Sequence, residues 1–352
     1  MDTYNGNATK ASSSLEALDG LVSENLFWQL MTAILALDLI LALVAAAANI
    51  VTIRVYKKMG FADSTNISLT ALALSDLGCA ITAINCVLAI FLPTIPNAPF
   101  TFEIFVTSAS HPHVMFSRIS ALITAYIGIE RYLCVWIPLK VKRIITTRRT
   151  FAAMVIIFSF SIALNLHLSV KFPIGWKFFP DRNRTLLGVL PVTDRGILTL
   201  DYVRQVLFSV ILPVCTSVIA VFTAILLSLA LKRNKTWRDA NKALPPSSTA
   251  SGRKDASLPA NLSSTDSKEA RAVKMVIAIT AVFITSSIPS SIHMVFVFTV
   301  PEFEVNGRYS NMYALTGMAF LIADSLNCSA NVIIYYKMSS KFRKSLQDIF
   351  CS

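Results

Sequence analysis

The chain has 352 residues, of which 54% are hydrophobic and only 15% charged, with a formal net charge of +12. A soluble domain carries about 25% charged residues, so these proportions exclude an ordinary soluble protein and point to an all-α polytopic membrane protein. The basic excess sits in the connections between apolar blocks, where it speaks of topology and anionic lipid heads and gives no sign of a nucleic-acid partner.

Residues 1–26 are polar and net acidic, without a basic n-region or a small-residue cleavage site. They read as a short disordered outer segment, and the first apolar block is expected to act as its own insertion signal. Seven blocks follow, each long enough for the ~20 apolar residues a spanning helix needs: Phe27–Tyr56, Thr65–Phe91, His113–Ile137, Phe151–Val170, Val203–Leu231, Arg271–Val300 and Tyr313–Tyr336. Together, 27–336 is predicted to be one seven-helix membrane bundle. The connection Lys171–Tyr202 shows no assignable pattern. The polar stretch 232–267, rich in Ser, Thr, Pro and Ala, reads as a flexible loop whose hydroxyls either keep it solvated or accept phosphate. In 337–352, Phe342, Leu346 and Ile349 or Phe350 recur at helical spacing among Lys341, Arg343 and Lys344, predicting a short amphipathic eighth helix in the inner interface. Cys351 at its end is either a free thiol or a site for acylation.

Lysine and arginine set the orientation. With the amino terminus outside, the inner connections and tail hold most of them, including Arg54, Lys57, Lys58, Lys140, Lys142, Arg143, Arg148 and Arg149. The six cysteines (Cys79, Cys86, Cys134, Cys215, Cys328 and Cys351) fall in helices or at inner ends, so no outer disulfide is expected. Asn7-Ala-Thr9 and Asn183-Arg-Thr185 are glycosylation acceptors on the outer side.

Polar residues within the blocks are the functional candidates, because ionisable groups at membrane depth are costly and normally paired. The third block ends in Glu130-Arg131-Tyr132, where Arg131 is either an interfacial anchor or part of a switch. Asp76 lies mid-way along the second block, and an Asp there is penalised by roughly 2.5–3.5 kcal/mol on insertion scales. Ser120, Asn327 and Asn331 lie at comparable depth, forming either a hydrogen-bond cluster or an oxygen site for a small cation. Pro213 and Pro289 interrupt the fifth and sixth helices. Glu269 begins the sixth where it can reach Arg131, a pair that biases a switch rather than locking it.

These residues resemble the rhodopsin-like G-protein-coupled receptors over nearly the whole chain, Phe27 to Phe350. Asn49, Leu72-Ala-Leu-Ser-Asp76, Glu130-Arg131-Tyr132 with Pro138-Leu139, Pro213, Phe283 with Pro289, Asn331-Val-Ile-Ile-Tyr335 and Phe342-Arg343 match the family's motifs in order. The resemblance implies a sodium pocket of Asp76, Ser120, Asn327 and Asn331. It also implies inner switches at Arg131, Glu269 and Tyr335, coupling to a heterotrimeric G protein and, beyond it, arrestin and a receptor kinase. The plasma membrane is the expected location. No cofactor is expected beyond an allosteric sodium ion. The chain departs from the family at several points. The disulfide from the third helix to the second outer loop is missing, Ser287 replaces the sixth-helix tryptophan, the fourth helix lacks its tryptophan, Val332 replaces the seventh-helix proline and Val221 the fifth-helix tyrosine. The segments 63–76 and 138–145 also look like molluscan chemosensory receptors and FMRFamide-like peptide receptors.

By the same resemblance, His113 stands where amine receptors carry an aspartate, arguing against a monoamine. No lysine lies between Lys274 and Lys337, which excludes a retinal Schiff base. His113, Arg118, Gln205, His293, Tyr313 and Asp324 are the polar residues expected nearest a small-molecule or short-peptide ligand, or else satisfied interhelical groups. Arg118 and Asp324 are candidates to pair with each other. A transporter or channel is the competing class, but no repeated halves are visible. No nucleophile–base pair or metal set among the four histidines suggests an enzyme.

Overall fold

The computed structural model describes residues 22–91, 98–180, 183–190, 192–243, 260–304 and 307–350. Seven helices among them are long and apolar enough to cross a membrane. The first four spans are Glu24–Met59, Ser64–Phe91, Phe102–Trp136 and Thr147–Lys171. The fifth runs from Arg195–Val206 through a π-turn at Leu207–Ile211 into Leu212–Ala243. The sixth is Ala260–Thr299, the seventh Ser310–Met338, and the short eighth helix Ser340–Phe350. The π-turn lies directly before Pro213, whose ring and missing N–H disturb the helical ladder at that point.

The third, fifth and sixth helices begin well before their apolar blocks. The third starts at Phe102, not His113, and carries Pro112 inside it. Ser108, Ser110, His111 and Pro112 mask its first turns from a hydropathy reading. The fifth and sixth helices likewise run into both ends of the polar stretch 232–267, to Ala243 and from Ala260. Once nucleated, a helix extends cheaply through residues such as Ala, Lys, Glu and Arg. Residues 1–21, with Asn7, and Cys351 lie outside the described residues.

The spans close a ring: first against second and seventh, seventh against sixth, sixth against fifth, with the third touching second, fourth, fifth and sixth. A core of Tyr56, Leu72, Ile119, Ile123, Ile127, Val276, Ile279, Tyr335 and Phe342 binds one half together. Phe151, Ile156, Phe160 and Leu166 of the fourth span remain exposed, the apolar surface suited to lipid. Because lipid gives helices no hydrophobic reason to associate, small residues and interhelical hydrogen bonds matter here. Asn49 donates to the Ala45 and Cys328 carbonyls at 2.9 and 3.0 Å. Ser325 donates to Asp38 at 2.7 Å, a second tie between first and seventh spans.

The patternless connection after the fourth span folds as a hairpin, β1 (Ile174–Phe179) antiparallel to β2 (Arg184–Val189). Its turn contains Asn183 at φ 45°, exposed to solvent. Leu187 is stitched to the start of the third span: its N–H donates to the Pro99 carbonyl at 2.8 Å, and its carbonyl accepts from Thr101 N–H at 2.9 Å. These backbone bonds tie the hairpin to the third span, a connection that the resembling family makes with a disulfide. None of the five described cysteines forms a disulfide.

At the second–third contact, a Cβ added to Gly78 would lie 2.6 Å from Phe116 Cγ. Gly78→Ala is therefore expected to destabilise the purified protein by about 1–3 kcal/mol through overpacking, read as a lower unfolding temperature in detergent. Phe116→Leu in the same chain should recover part of the loss; an unchanged temperature for Gly78→Ala alone would contradict this packing.

Candidate functional site

Three polar layers run along the inside of the bundle. At the end away from the hairpin, Glu130 is buried and accepts from Ser64 Oγ at 2.6 Å and Ser68 Oγ at 3.1 Å. Its neighbour Arg131 reaches the same carboxylate at 3.4 Å and donates to Thr65 Oγ1. One carboxylate thus joins second and third spans through the two serines, while Arg131 Nε stays buried without a partner. Ser64, Thr65 and Ser68 are functional neighbours that motif reading misses, although hydroxyls spaced along the first turns of a span are a visible signal. Tyr132 stacks on Trp136 with ring centroids 5.9 Å apart. Glu269 is placed in the sixth helix, but its side chain, and so its pairing with Arg131, lies outside the described residues.

Beside this layer, Tyr335 is fully buried against Tyr56 and Phe342, with centroids 5.6 and 5.7 Å away. Its hydroxyl has no hydrogen-bond partner. With Val332 in the place of a proline, the seventh helix runs unbroken through Asn331–Tyr335. Leu346 and Ile349 of the eighth helix pack on the same core as Phe342, whereas Phe350 is 70% exposed.

The middle layer centres on Asp76, which has no exposed surface. Ser120 Oγ donates to its Oδ1 at 2.7 Å and Asn331 Nδ2 to its Oδ2 at 2.8 Å. Asn331 Oδ1 is left as a buried acceptor without a donor. Asn327 is buried one turn away and faces the cleft above rather than bonding to Asp76. A carboxylate, a hydroxyl and an orphaned amide oxygen form a donor set suited to a hard cation.

The third layer is a small cleft on the hairpin side of Asp76. Arg118, Asp324, Asn327, Phe283 and Ser287 line it, with Ser286, Ser290 and Ser291 on the sixth span. Where the family has a tryptophan, Ser287 leaves room, its hydroxyl donating to the Ile284 carbonyl at 2.8 Å. Phe283 packs with Ala121 and Ala220 at the floor.

The six expected ligand residues separate into groups. Arg118 and Asp324 share the cleft, but they do not pair with each other; the partner of Asp324 is His113, with Nε2 3.4 Å from Oδ2. His113 is closed into an interhelical bridge, its Nδ1 3.2 Å from both Thr82 Oγ1 and the Cys79 carbonyl, and it does not line the cleft. His293 and Tyr313 pack with tilted rings, centroids 5.0 Å apart, nearer the hairpin end, with His293 Nδ1 2.8 Å from Thr316 Oγ1. Gln205 is half-buried on the fifth span, away from the cleft lining. Asp38, bonded to Ser325 and buried, was available to a sequence reading as an acid inside an apolar run, but belongs to no motif.

The family model described as 7 transmembrane receptor (rhodopsin family) matches residues 47–335. The chain belongs to the rhodopsin family of seven-transmembrane receptors. It is a multi-pass membrane receptor and not an enzyme. No curated protein matches its sequence. The receptor's Asp76, Glu130-Arg131-Tyr132 and Tyr335 all fall within the matched span.

The orphaned hydroxyl of Tyr335 makes a separable test. Removing an unbonded buried hydroxyl leaves no partner stranded, so Tyr335→Phe should unfold at the wild-type temperature or higher in detergent. A loss above about 1 kcal/mol would mean the hydroxyl is bonded in this state.

Proposed function

We propose that this receptor binds an extracellular chemical cue, a small molecule or short peptide, and activates a heterotrimeric G protein through movement of the sixth span. The observation that carries this reading is the clamp of Glu130 on Arg131, Ser64 and Ser68 at one end of a bundle whose other half holds a polar cleft. The cleft is walled by the sixth span on one side and by the third and seventh on the other. A ligand seated there acts on the sixth helix at Ser286–Ser291, around Pro289. The helix lacks one backbone hydrogen bond at that proline. Swinging its far arm uncovers the Arg131 layer, and Arg131, only partly committed, is then free to engage the G protein. Tyr335, packed but unbonded, is the side chain positioned to turn inward and supply a hydroxyl. Tyr335→Phe should therefore cut coupling while sparing stability.

The concentration of lysine and arginine on one side supports an extracellular amino terminus in the plasma membrane. The exposed Asn183 turn is a suitable glycan acceptor, with Asn7 a second and Cys351 an acylation site. Arrestin and a receptor kinase would share the face uncovered at Arg131. The kinship to molluscan chemosensory and FMRFamide-like receptors rests on segments 63–76 and 138–145.

Sodium would be held by Asp76, Ser120 and Asn331, with Asn327 at the cleft wall, and would stabilise the resting state by neutralising Asp76. Asp76→Asn is expected to abolish sodium-dependent shifts in ligand affinity, and an unchanged sodium response rejects the pocket. The reading as a whole is tested by ligand-dependent guanine-nucleotide exchange on a co-expressed promiscuous Gα with a calcium readout. A broad panel giving no exchange, together with substrate flux in proteoliposomes, would instead establish a transporter.

A further inference from the structure

Arg118 is an anomaly in the receptor's cleft. It is 5% exposed, belongs to the third span and lines the cavity. Among the described residues no carboxylate oxygen lies within 4.0 Å of its guanidinium. Its Nε is buried without an acceptor. A buried cation without a partner is strongly unfavourable, so such groups are normally paired or neutralised. Glu130 and Asp201, the other buried acids with ion-pair partners, are each tied to their own arginine or lysine. Asp324 opens onto the same cavity but is directed to His113. Base and acid thus face one space without meeting.

We propose that the cleft takes a small zwitterion with one free carboxylate, an amino acid or short peptide with a free carboxyl end, whose carboxylate binds the Arg118 guanidinium and whose ammonium faces Asp324. This rests on the receptor reading above and narrows its ligand class. The planar guanidinium fork matches a carboxylate, bonding both oxygens. Asp324 in the same space selects against a second negative charge, which disfavours phosphates and dicarboxylates. Ser117, Ser217 and Ser290 line the wall and are free to bond the ligand's remaining polar atoms. An amidated peptide, by contrast, brings no anion to Arg118.

The test uses the full-length receptor purified in detergent. Its unfolding temperature is measured with the twenty standard amino acids and a set of dipeptides, each as the free acid and as the C-terminal amide. At least one free acid is expected to raise the unfolding temperature, and its amide is not. Arg118→Met should abolish the shift, and Arg118→Lys should weaken the apparent affinity about tenfold or more. Without ligand, Arg118→Met should be as stable as wild type or more so, because it removes an uncompensated charge; a structural arginine would give the opposite. The proposal is overturned if no free acid shifts the temperature, if amides shift it equally, or if Arg118→Met retains the response. Nucleotide exchange separates this from the broader reading. Binding without exchange sustains the zwitterion site and sinks the signalling function, whereas exchange driven by neutral ligands and indifferent to Arg118→Met does the reverse.

Discussion

The exclusion of water from the bundle interior is the constraint on which the rest of the structure depends. A polar group placed there is costly unless it finds a partner, on its own helix or on another. Asp76 is the deepest instance, fully buried and met by Ser120 from the third span and Asn331 from the seventh. Its two oxygens fix the rotation of both helices at once. Asn49 fixes the first span to the seventh, one residue beyond the cleft's Asn327, through the Cys328 carbonyl. The polar core therefore sets the register that the surrounding apolar side chains, indifferent to direction, cannot.

The same constraint strings polar groups along the interior between the two ends. Arg118 and Asn327 at the cleft, Asp76 and Asn331 below it, and Tyr335 one turn further all lie on the third, second and seventh spans. The usual relay residues are altered: Ser287 is small where a tryptophan would fill the cleft floor, and Val332 leaves the seventh helix straight. What remains on the sixth span is Phe283, packed between Ala121 and Ala220. A displacement of the sixth helix must therefore press on two alanines of the third and fifth spans. These are small, shallow contacts that slide more easily than an interlocked indole.

How much of this was legible in the sequence follows from the physics of each signal. The seven spans were, because a helix in lipid must be continuously apolar over its length. Their ends were not: Pro112 and the polar residues near it hid the first turns of the third helix, and the sixth began well inside a polar stretch. Asp76 and its partners were readable because the motifs place them. Asp38 stands out as an acid in an apolar run, but its role was not readable, since its partner Ser325 lies on the seventh helix and carries no pattern. The expectation that Arg118 and Asp324 pair failed because His113, on the same third helix, claims the aspartate. The hairpin went unread although Ile174, Trp176 and Phe178 alternate with Gly175 and Lys177, because its two strands are only six residues long and draw their order from Pro99–Thr101 across space.

That hairpin attachment differs in kind from a disulfide. A disulfide is a covalent tether that opens by thiol exchange. Two amide hydrogen bonds at Leu187 open by thermal fluctuation instead. The attachment is thus indifferent to the redox state of its surroundings and sensitive to temperature. The backbone amides at Leu187 and Thr101 become the natural reporters of how often the hairpin parts from the third span, through the rate at which they exchange with solvent hydrogen.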